Sequence, residues 1–229
     1  MTLSARDAMK RAAAIRAAEE IEDGMVVGLG SGTTAAFAVE ALAVRVAAGL
    51  RMVGIPTSKK TATLARRLGV PLTTFAARRR IDIAIDGADQ VARHTLDMIK
   101  GLGGALLREK IVASAAARMI VIIDESKLVY RLGGATPVPV EIVAFGWQTV
   151  LDRLAGIGCA PQLRLVEGKP FVTDGGNHIA DCALGVIDDA AALQARLAVI
   201  VGVVETGLFI GMAQKILVGR PAEVEAMEK

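Results

Sequence analysis

Ile81, Ile83 and Ile85 alternate with Asp82, Ala84 and Asp86, and the run ends on Asp86-Gly87-Ala88-Asp89. A period of two is the signature of a strand, so this segment delivers two carboxylates to the point where a strand stops and a loop starts. Lys100-Gly101-Leu102-Gly103-Gly104 and Arg108-Glu109-Lys110 follow closely behind it. In open α/β sheets ligands sit in the crevice beyond the C-terminal strand ends. Carboxylates, an amine and backbone N–H groups gathered there suit proton-shuttling chemistry on a small polar anion.

The flanking pattern alternates in the βαβ manner. Ser4 is placed to cap a helix over about 5–22; a strand follows at 25–29 and a helix at 33–48. A strand at 51–55, a helix at 57–68, the 81–86 strand, a helix at 104–117 and a strand at 119–123 complete the series. Strands separated by helices predict an α/β fold with a doubly wound, mostly parallel, Rossmann-like sheet. The rhythm changes after Leu132-Gly133-Gly134. Short β-like runs at 139–143, 162–166, 171–173 and 178–183 surround helical stretches near 145–154 and 189–197, and Asp174-Gly175-Gly176-Asn177 signals a hairpin. The expectation is a catalytic domain over 1–131 plus 204–229 and a smaller α+β domain over 132–203, the strand-like run 202–210 leading back to the first domain.

Composition narrows the function classes. The 229 residues are 53% apolar, enough for a sizeable core, but only 3% aromatic, which argues against base-stacking nucleic-acid binding. The net charge is +3, and the clusters Arg66-Arg67 and Arg78-Arg79-Arg80 read as exposed helix ends and loops because no long basic run accompanies them. Cys159 and Cys182 lack ligand spacing, and His94 and His178 are the only histidines, so no metal is expected. No apolar run reaches the roughly 20 residues of a membrane span, and residues 1–16 carry no signal-peptide core. The expectation is a cytoplasmic protein without nucleic-acid or membrane partners.

Gly28-Leu29-Gly30-Ser31-Gly32-Thr33-Thr34 lies between the first strand and a helix. Glycines admit an anion close to the backbone, the helix N-terminus supplies N–H groups, and Ser31, Thr33 and Thr34 add hydroxyls. No Lys follows the last Gly, and Thr33 stands at the third glycine position of the dinucleotide fingerprint, so a nucleotide cofactor is disfavoured. Pro56-Thr57-Ser58-Lys59-Lys60 follows the second strand; Thr57 reads either as a helix cap or, with Ser58 and Lys59, as a ligand contact. Glu109 sits in a helix apolar on nearly every face. Three consecutive charges spread over about 200° of helix, so at least one of Arg108, Glu109 and Lys110 faces inward. Lys127, in Asp124-Glu125-Ser126-Lys127, is a solvated turn lysine or a further ligand at a strand end.

Taken in order, these segments resemble the A-type ribose-5-phosphate isomerases over nearly the whole chain. The resemblance extends to Pro139-Val140-Glu141, Val172-Thr173-Asp174-Gly175-Gly176-Asn177 and Gly202-Val203-Val204-Glu205-Thr206-Gly207-Leu208-Phe209. It implies cofactor-free interconversion of ribose 5-phosphate and ribulose 5-phosphate through an enediolate, in the non-oxidative pentose phosphate pathway. It implies Glu109 as the base, with Asp86, Asp89 and Lys100 around the reacting oxygens. Ser31, Gly32, Thr33, Thr34, Gly101, Gly103 and Lys127 match substrate-binding positions, with Lys10 a further phosphate-side candidate. It also implies a homodimer or homotetramer, to which the small domain, with Phe145 and Trp147, is a candidate contributor.

Two positions depart from the family pattern: Gln90 replaces the usual Glu after Asp89, and Leu102 replaces a Gly in the lysine-glycine loop. They are expected to retune efficiency or specificity rather than abolish function. A related sugar-phosphate isomerase, an aminosugar-phosphate deaminase and a non-catalytic sugar-phosphate sensor remain rivals. Deaminase chemistry favours a histidine-assisted site, for which only His94 and His178 are available; no helix-turn-helix segment precedes Met25 to favour the sensor.

Overall fold

In the computed structural model, which describes residues 4–228, the alternating pattern resolves into one six-stranded sheet. Its strands are β1 (Val26–Leu29), β2 (Val53–Pro56), β3 (Ile81–Asp86), β4 (Ala116–Asp124), β5 (Lys215–Gly219) and β6 (Val224–Glu228). The spatial order is β6-β5-β4-β3-β1-β2. Every pairing is parallel except the β5–β6 edge. A parallel sheet is covered on both faces, so its strands are near-continuous apolar runs: β1 is buried throughout, as are Met119 to Asp124 of β4. The chain leaves β1 toward β2 on one side and reaches β3 on the other. The C-terminal ends of β1 and β3 therefore flank a topological switch point, the usual ligand crevice of such sheets.

Helices α1 (Ala5–Ala18), α2 (Thr33–Ala47), α3 (Lys59–Arg67) and α4 (Leu106–Ser114) accompany these strands. Ser4 caps α1, accepting from the Asp7 N–H. The buried face of α1 is Ala13, Ala14, Ala17 and Ala18, and small side chains let it lie close on the sheet. At Gly219 a Cβ would meet the Met9 carbonyl oxygen at 2.0 Å, so glycine is required there. The cap of α3 is Ser58, which accepts from the Thr61 N–H at 3.0 Å; Thr57, read as a possible cap from sequence, is buried.

The chain divides into two compact units. One holds the chain up to Ala88, Arg108–Lys127 and the chain from Met212; the other holds Asp89–Leu107 and Leu128–Gly211. The second unit thus takes in residues 89–107, which the sequence pattern placed with the first. The reason is pairing: Gln90–Ala92 and Met98–Ile99 pair with each other and, respectively, with Leu128–Val129 and Leu208–Phe209. The unit's other four-stranded sheet is antiparallel, in the order Ala160–Leu163, His178–Ala183, Val138–Ile142, Val203–Thr206. The run expected to lead back to the first domain instead adds an edge to this sheet. Helices α5 (Trp147–Gly156) and α6 (Ala190–Ala198) belong to this unit, and its core includes Val140, Ile142, Leu154, Ile187 and Leu197. Trp147 packs against that core, whereas Phe145 is 94% exposed. No helix among the described residues is long and apolar enough to cross a membrane.

Candidate active site

At the switch point the first unit builds a loop around one carboxylate. Gly30 donates its N–H to the Ile85 carbonyl at 2.9 Å, pinning the residue after β1 to the end of β3. Asp86 is 3% exposed, and its Oδ1 accepts the Ser31 N–H at 3.0 Å and the Gly87 N–H at 2.8 Å. A buried carboxylate needs such donors, and here they fix the loop's path. A Cβ on Gly30 would lie 2.1 Å from Asp86 Oδ1, so only glycine allows this approach.

The loop then enters α2 through Gly32, whose φ of +94° suits glycine. No side chain caps α2, so its first-turn N–H groups and positive dipole end are available to an anion. Thr33 and Thr34 form its first two residues. Lys10 Nζ lies 3.5 Å from Thr33 Oγ1, bringing a cation to the same helix end, and Thr34 packs over Gly87, where a Cβ would come within 3.6 Å of it.

Behind the loop lies a cluster of hydroxyls. Ser31 Oγ is 2.7 Å from Thr57 Oγ1, 2.8 Å from Ser58 Oγ and 3.2 Å from Thr61 Oγ1. Thr57 donates to the Leu29 carbonyl at 3.1 Å and Thr61 to the Gly30 carbonyl at 2.9 Å. The sequence motif at Thr57 and Ser58 therefore acts on Ser31 rather than standing as a separate ligand loop. Thr61 carries no sequence signal of its own beyond lying in the first turn of α3, just after the Thr57-Ser58 motif.

Glu109 lies in the first turn of α4 and is 5% exposed, so it is the inward-facing member of its charged triplet; Arg108 and Lys110 are half-buried. Lys127 ends the 3-10 turn Glu125–Lys127 after β4, half-buried, and its side chain makes no ion pair or hydrogen bond among the described residues. The turn itself is held by Asp124, whose Oδ1 accepts the Ser126 N–H at 3.1 Å and the Ser126 hydroxyl.

The second unit carries the remaining sequence candidates. Asp89 Oδ2 accepts the Leu102 N–H at 2.9 Å, tying the lysine-glycine loop to the segment that follows Asp86 in the chain. Lys100 is 2% exposed, its N–H donates to the Gly207 carbonyl at 2.8 Å, and its Nζ stands 5.3 Å from the Phe209 ring centroid. Gly101 has a φ of +104°, and a Cβ there would press on Leu106 at 2.8 Å. Not all the N–H groups of this loop are available to a ligand. Two are spent internally, Leu102 on Asp89 and Gly104 on the Gly101 carbonyl; those of Gly101 and Gly103 meet no acceptor among the described residues. No group of three or more His, Cys, Asp or Glu side chains among the described residues is placed to hold a metal.

The model of the family described as ribose 5-phosphate isomerase A (phosphoriboisomerase A) matches residues 53–223. The chain belongs to this family. A Gloeobacter violaceus relative named ribose-5-phosphate isomerase A is 53% identical over 221 residues, 96% of each chain. The solved ribose 5-phosphate isomerase A of Methanocaldococcus jannaschii matches with a TM-score of 0.93 and 40% identity, covering 97% of this chain and 99% of its own. A D-ribose-5-phosphate isomerase solved in complex with phospho-erythronic acid matches with a TM-score of 0.94 and 36% identity, covering 98% and 99%. Of the two departures from the isomerase A pattern, Gln90 has a local explanation. Its Nε2 donates to the Gly133 carbonyl at 3.0 Å and to Thr136 Oγ1 at 2.9 Å, while its Oε1 accepts the Gly133 N–H at 2.8 Å. An ionised glutamate could accept from that glycine but could not also donate to it, as the amide does. Leu102 is 43% exposed, so its added bulk faces outward from the second unit.

Proposed function

We propose that this chain interconverts D-ribose 5-phosphate and D-ribulose 5-phosphate, with Glu109 as the base. In the open-chain aldose Glu109 takes the proton from C2; the C–H electron pair forms the C1=C2 bond and negative charge moves onto O1. Protonation of O1 and loss of the O2 proton pass through the enediolate, and Glu109 returns its proton to C1 as the C2 carbonyl forms. A positioned base of this kind contributes roughly 10²–10⁴-fold.

Negative charge at the oxygens calls for preorganised donors, a role we give to Lys100 with the N–H groups of Gly101 and Gly103. Asp86 and Asp89 serve the hydroxyl protons and ring opening, and each also secures the loop it touches. Ser31, Gly32, Thr33, Thr34 and Lys127 bind the substrate, with the α2 N-terminus and Lys10 on the phosphate side. The phospho-erythronic acid bound by a relative supports the reading chemically, because its carboxyl group offers two oxygens on one planar carbon, as an enediolate offers two on adjacent planar carbons. The observation that carries the assignment is the burial of Glu109, between the half-buried Arg108 and Lys110, on the first turn of α4 in a chain of this family.

The same reading has the protein working in the cytoplasm as a homodimer or homotetramer, to which the second unit contributes. Its exposed Tyr130, Phe145, Val199 and Val201 support that role. The test is conversion of ribose 5-phosphate by chelator-treated protein beside Glu109→Gln. Wild-type turnover should fall at least about 10²-fold in the variant with substrate binding retained. Equal activity in both would remove Glu109 as the base, and binding without wild-type turnover would favour a sensor.

A further inference from the structure

The lysine-glycine loop is held from behind by a residue far away in sequence. Arg164 lies just beyond the strand Ala160–Leu163, and its backbone is fixed on both sides: its N–H donates to the Ile179 carbonyl and its own carbonyl accepts the Phe171 N–H, each at 2.8 Å. Its guanidinium forms a bidentate pair with Asp181, Nε to Oδ2 at 2.8 Å and Nη2 to Oδ1. The remaining nitrogen, Nη1, donates to the Gly101 carbonyl at 3.1 Å and to the Leu102 carbonyl at 3.0 Å. The plane is further confined by the Phe171 ring, whose centroid is 5.9 Å from the guanidinium carbon. That ring also closes over Gly104, where a Cβ would meet it at 2.5 Å. The arginine side chain is only 14% exposed.

A trans peptide points its C=O and N–H in opposite directions within one plane. The Gly101–Leu102 peptide is therefore strung between two charged groups, its oxygen on Arg164 and its N–H on Asp89. The Leu102–Gly103 peptide has its oxygen on Arg164, so its other end, the Gly103 N–H, is aimed the opposite way. That N–H meets no acceptor among the described residues, and Gly103 is exposed. A cation on the carbonyl oxygen also draws electron density across the amide, which makes the N–H a stronger donor. We infer that Arg164 is a positioning residue for the isomerisation, holding and polarising the Leu102–Gly103 peptide so that the Gly103 N–H donates to the developing oxyanion. The inference rests on the isomerase reading above. It gives the inserted antiparallel sheet a part in the chemistry, because Asp181, which orients the arginine, belongs to the strand His178–Ala183.

Lysine cannot replace this residue, because one ammonium cannot make the planar fork to Asp181 while reaching two carbonyls. Losing an oxyanion donor outright costs about 10²–10³-fold in kcat. Losing only its support should cost about 10–100-fold, with KM changed less than about threefold, because the contact strengthens in the transition state. The experiment measures kcat and KM for ribose 5-phosphate in wild type, Arg164→Met, Arg164→Lys, Gly103→Pro and Gly103→Pro/Arg164→Met. Arg164→Lys should keep most of the thermal stability yet lose kcat. Gly103→Pro deletes the N–H and should make the second change nearly silent, since residues acting through one group are non-additive. Full kcat in Arg164→Lys, a loss confined to KM, or multiplicative losses in the double variant would overturn the inference. Should Arg164→Met fail to fold, Arg164→Lys alone and in the Gly103→Pro background decides the matter by the same criteria. Absence of wild-type turnover would count against the isomerase reading itself; turnover that ignores Arg164 counts against this inference alone.

Discussion

Replacing Gly30 by alanine tests whether the switch-point loop is held by its carboxylate or by its backbone. The new methyl would lie 2.1 Å from Asp86 Oδ1, 2.3 Å from its Cγ and 2.6 Å from its Cα. The last contact is with backbone, so a rotamer change of Asp86 cannot relieve it. Overpacking of this kind costs about 1–3 kcal/mol. The displaced carboxylate also loosens its bonds to the Ser31 and Gly87 N–H groups, each worth about 1.5–3 kcal/mol as a bond to a charged group. Part of that is recovered by relaxation, so a net loss of about 3–5 kcal/mol is expected. For a chain of this size that corresponds to a fall of roughly 6–20 °C in the thermal midpoint. Gly32→Ala is the matched control: nothing lies within 4 Å of its Cβ position, and its only burden is a backbone at φ +94°, ψ −178°, a region essentially reserved for glycine and worth about 1–3 kcal/mol. Thermal melts of the two variants, followed by circular dichroism, should therefore separate clearly, Gly30→Ala melting lower. Its turnover below the melt should fall with the misplacement of Asp86. A Gly30→Ala protein as stable as Gly32→Ala would refute the reasoning, because it would mean that Asp86 moves at no cost.

Thr61→Val keeps the side-chain volume but leaves the Gly30 carbonyl without its 2.9 Å donor; steady-state kinetics should show KM raised about 3–10-fold with kcat nearly unchanged, the mark of lost uniform binding, whereas a loss in kcat alone would be contrary. Gln90→Glu removes the donor to the Gly133 carbonyl and Thr136 and should cost about 1–3 kcal/mol, read as a lower denaturant midpoint with activity retained; a gain in stability would contradict the local account. At the sheet edge Lys215 pairs with Glu228 at 2.8 Å and Glu20 at 2.9 Å. Its hydrogen bond to Glu228, then that to Glu20, raises the lysine above 10.5, and the same Lys215 bond holds Glu228 below 4.5. The lysine's contribution is complete below 10.5 and lost as pH rises through its raised value, while the glutamate's is complete above 4.5 and lost as pH falls through its lowered one. The stability gap between wild type and Lys215→Met should accordingly be flat between those limits and shrink outside them, and an equal gap at strongly acid pH would exclude this assignment.

The central strands were legible because burial on two faces leaves them little choice of residue. Ile81–Asp86 and His178–Ala183 lie where the sequence pattern placed them. The β5–β6 edge was not legible. Val224–Glu228, reading Val-Glu-Ala-Met-Glu, has helix-forming composition and becomes a strand only through its antiparallel partner Lys215–Gly219, an instance of tertiary pairing overriding weak propensity. The run 202–210 carried a clear strand pattern, but no pattern states which sheet a strand joins; pairing of Val203–Thr206 with Val138–Ile142 decided that. Among site candidates, motifs that are contiguous in the chain stood out. Thr61 and Arg164 did not, because each acts on residues roughly 30 or 60 positions away and nothing local marks the encounter.

The chain passes between its two units at four points, after Ala88, Leu107, Lys127 and Gly211. Neither unit is a contiguous stretch, and no single cut releases one from the other. Modular exchange between relatives is constrained accordingly: a graft of the second unit has to carry Asp89–Leu107 and Leu128–Gly211 together. The intervening Arg108–Lys127, with Glu109 and β4, stays with the recipient. A crossover placed between those two grafts would separate Asp89 and the lysine-glycine loop from the arginine that braces it, so chimeras of such enzymes should tolerate paired junctions far better than single ones.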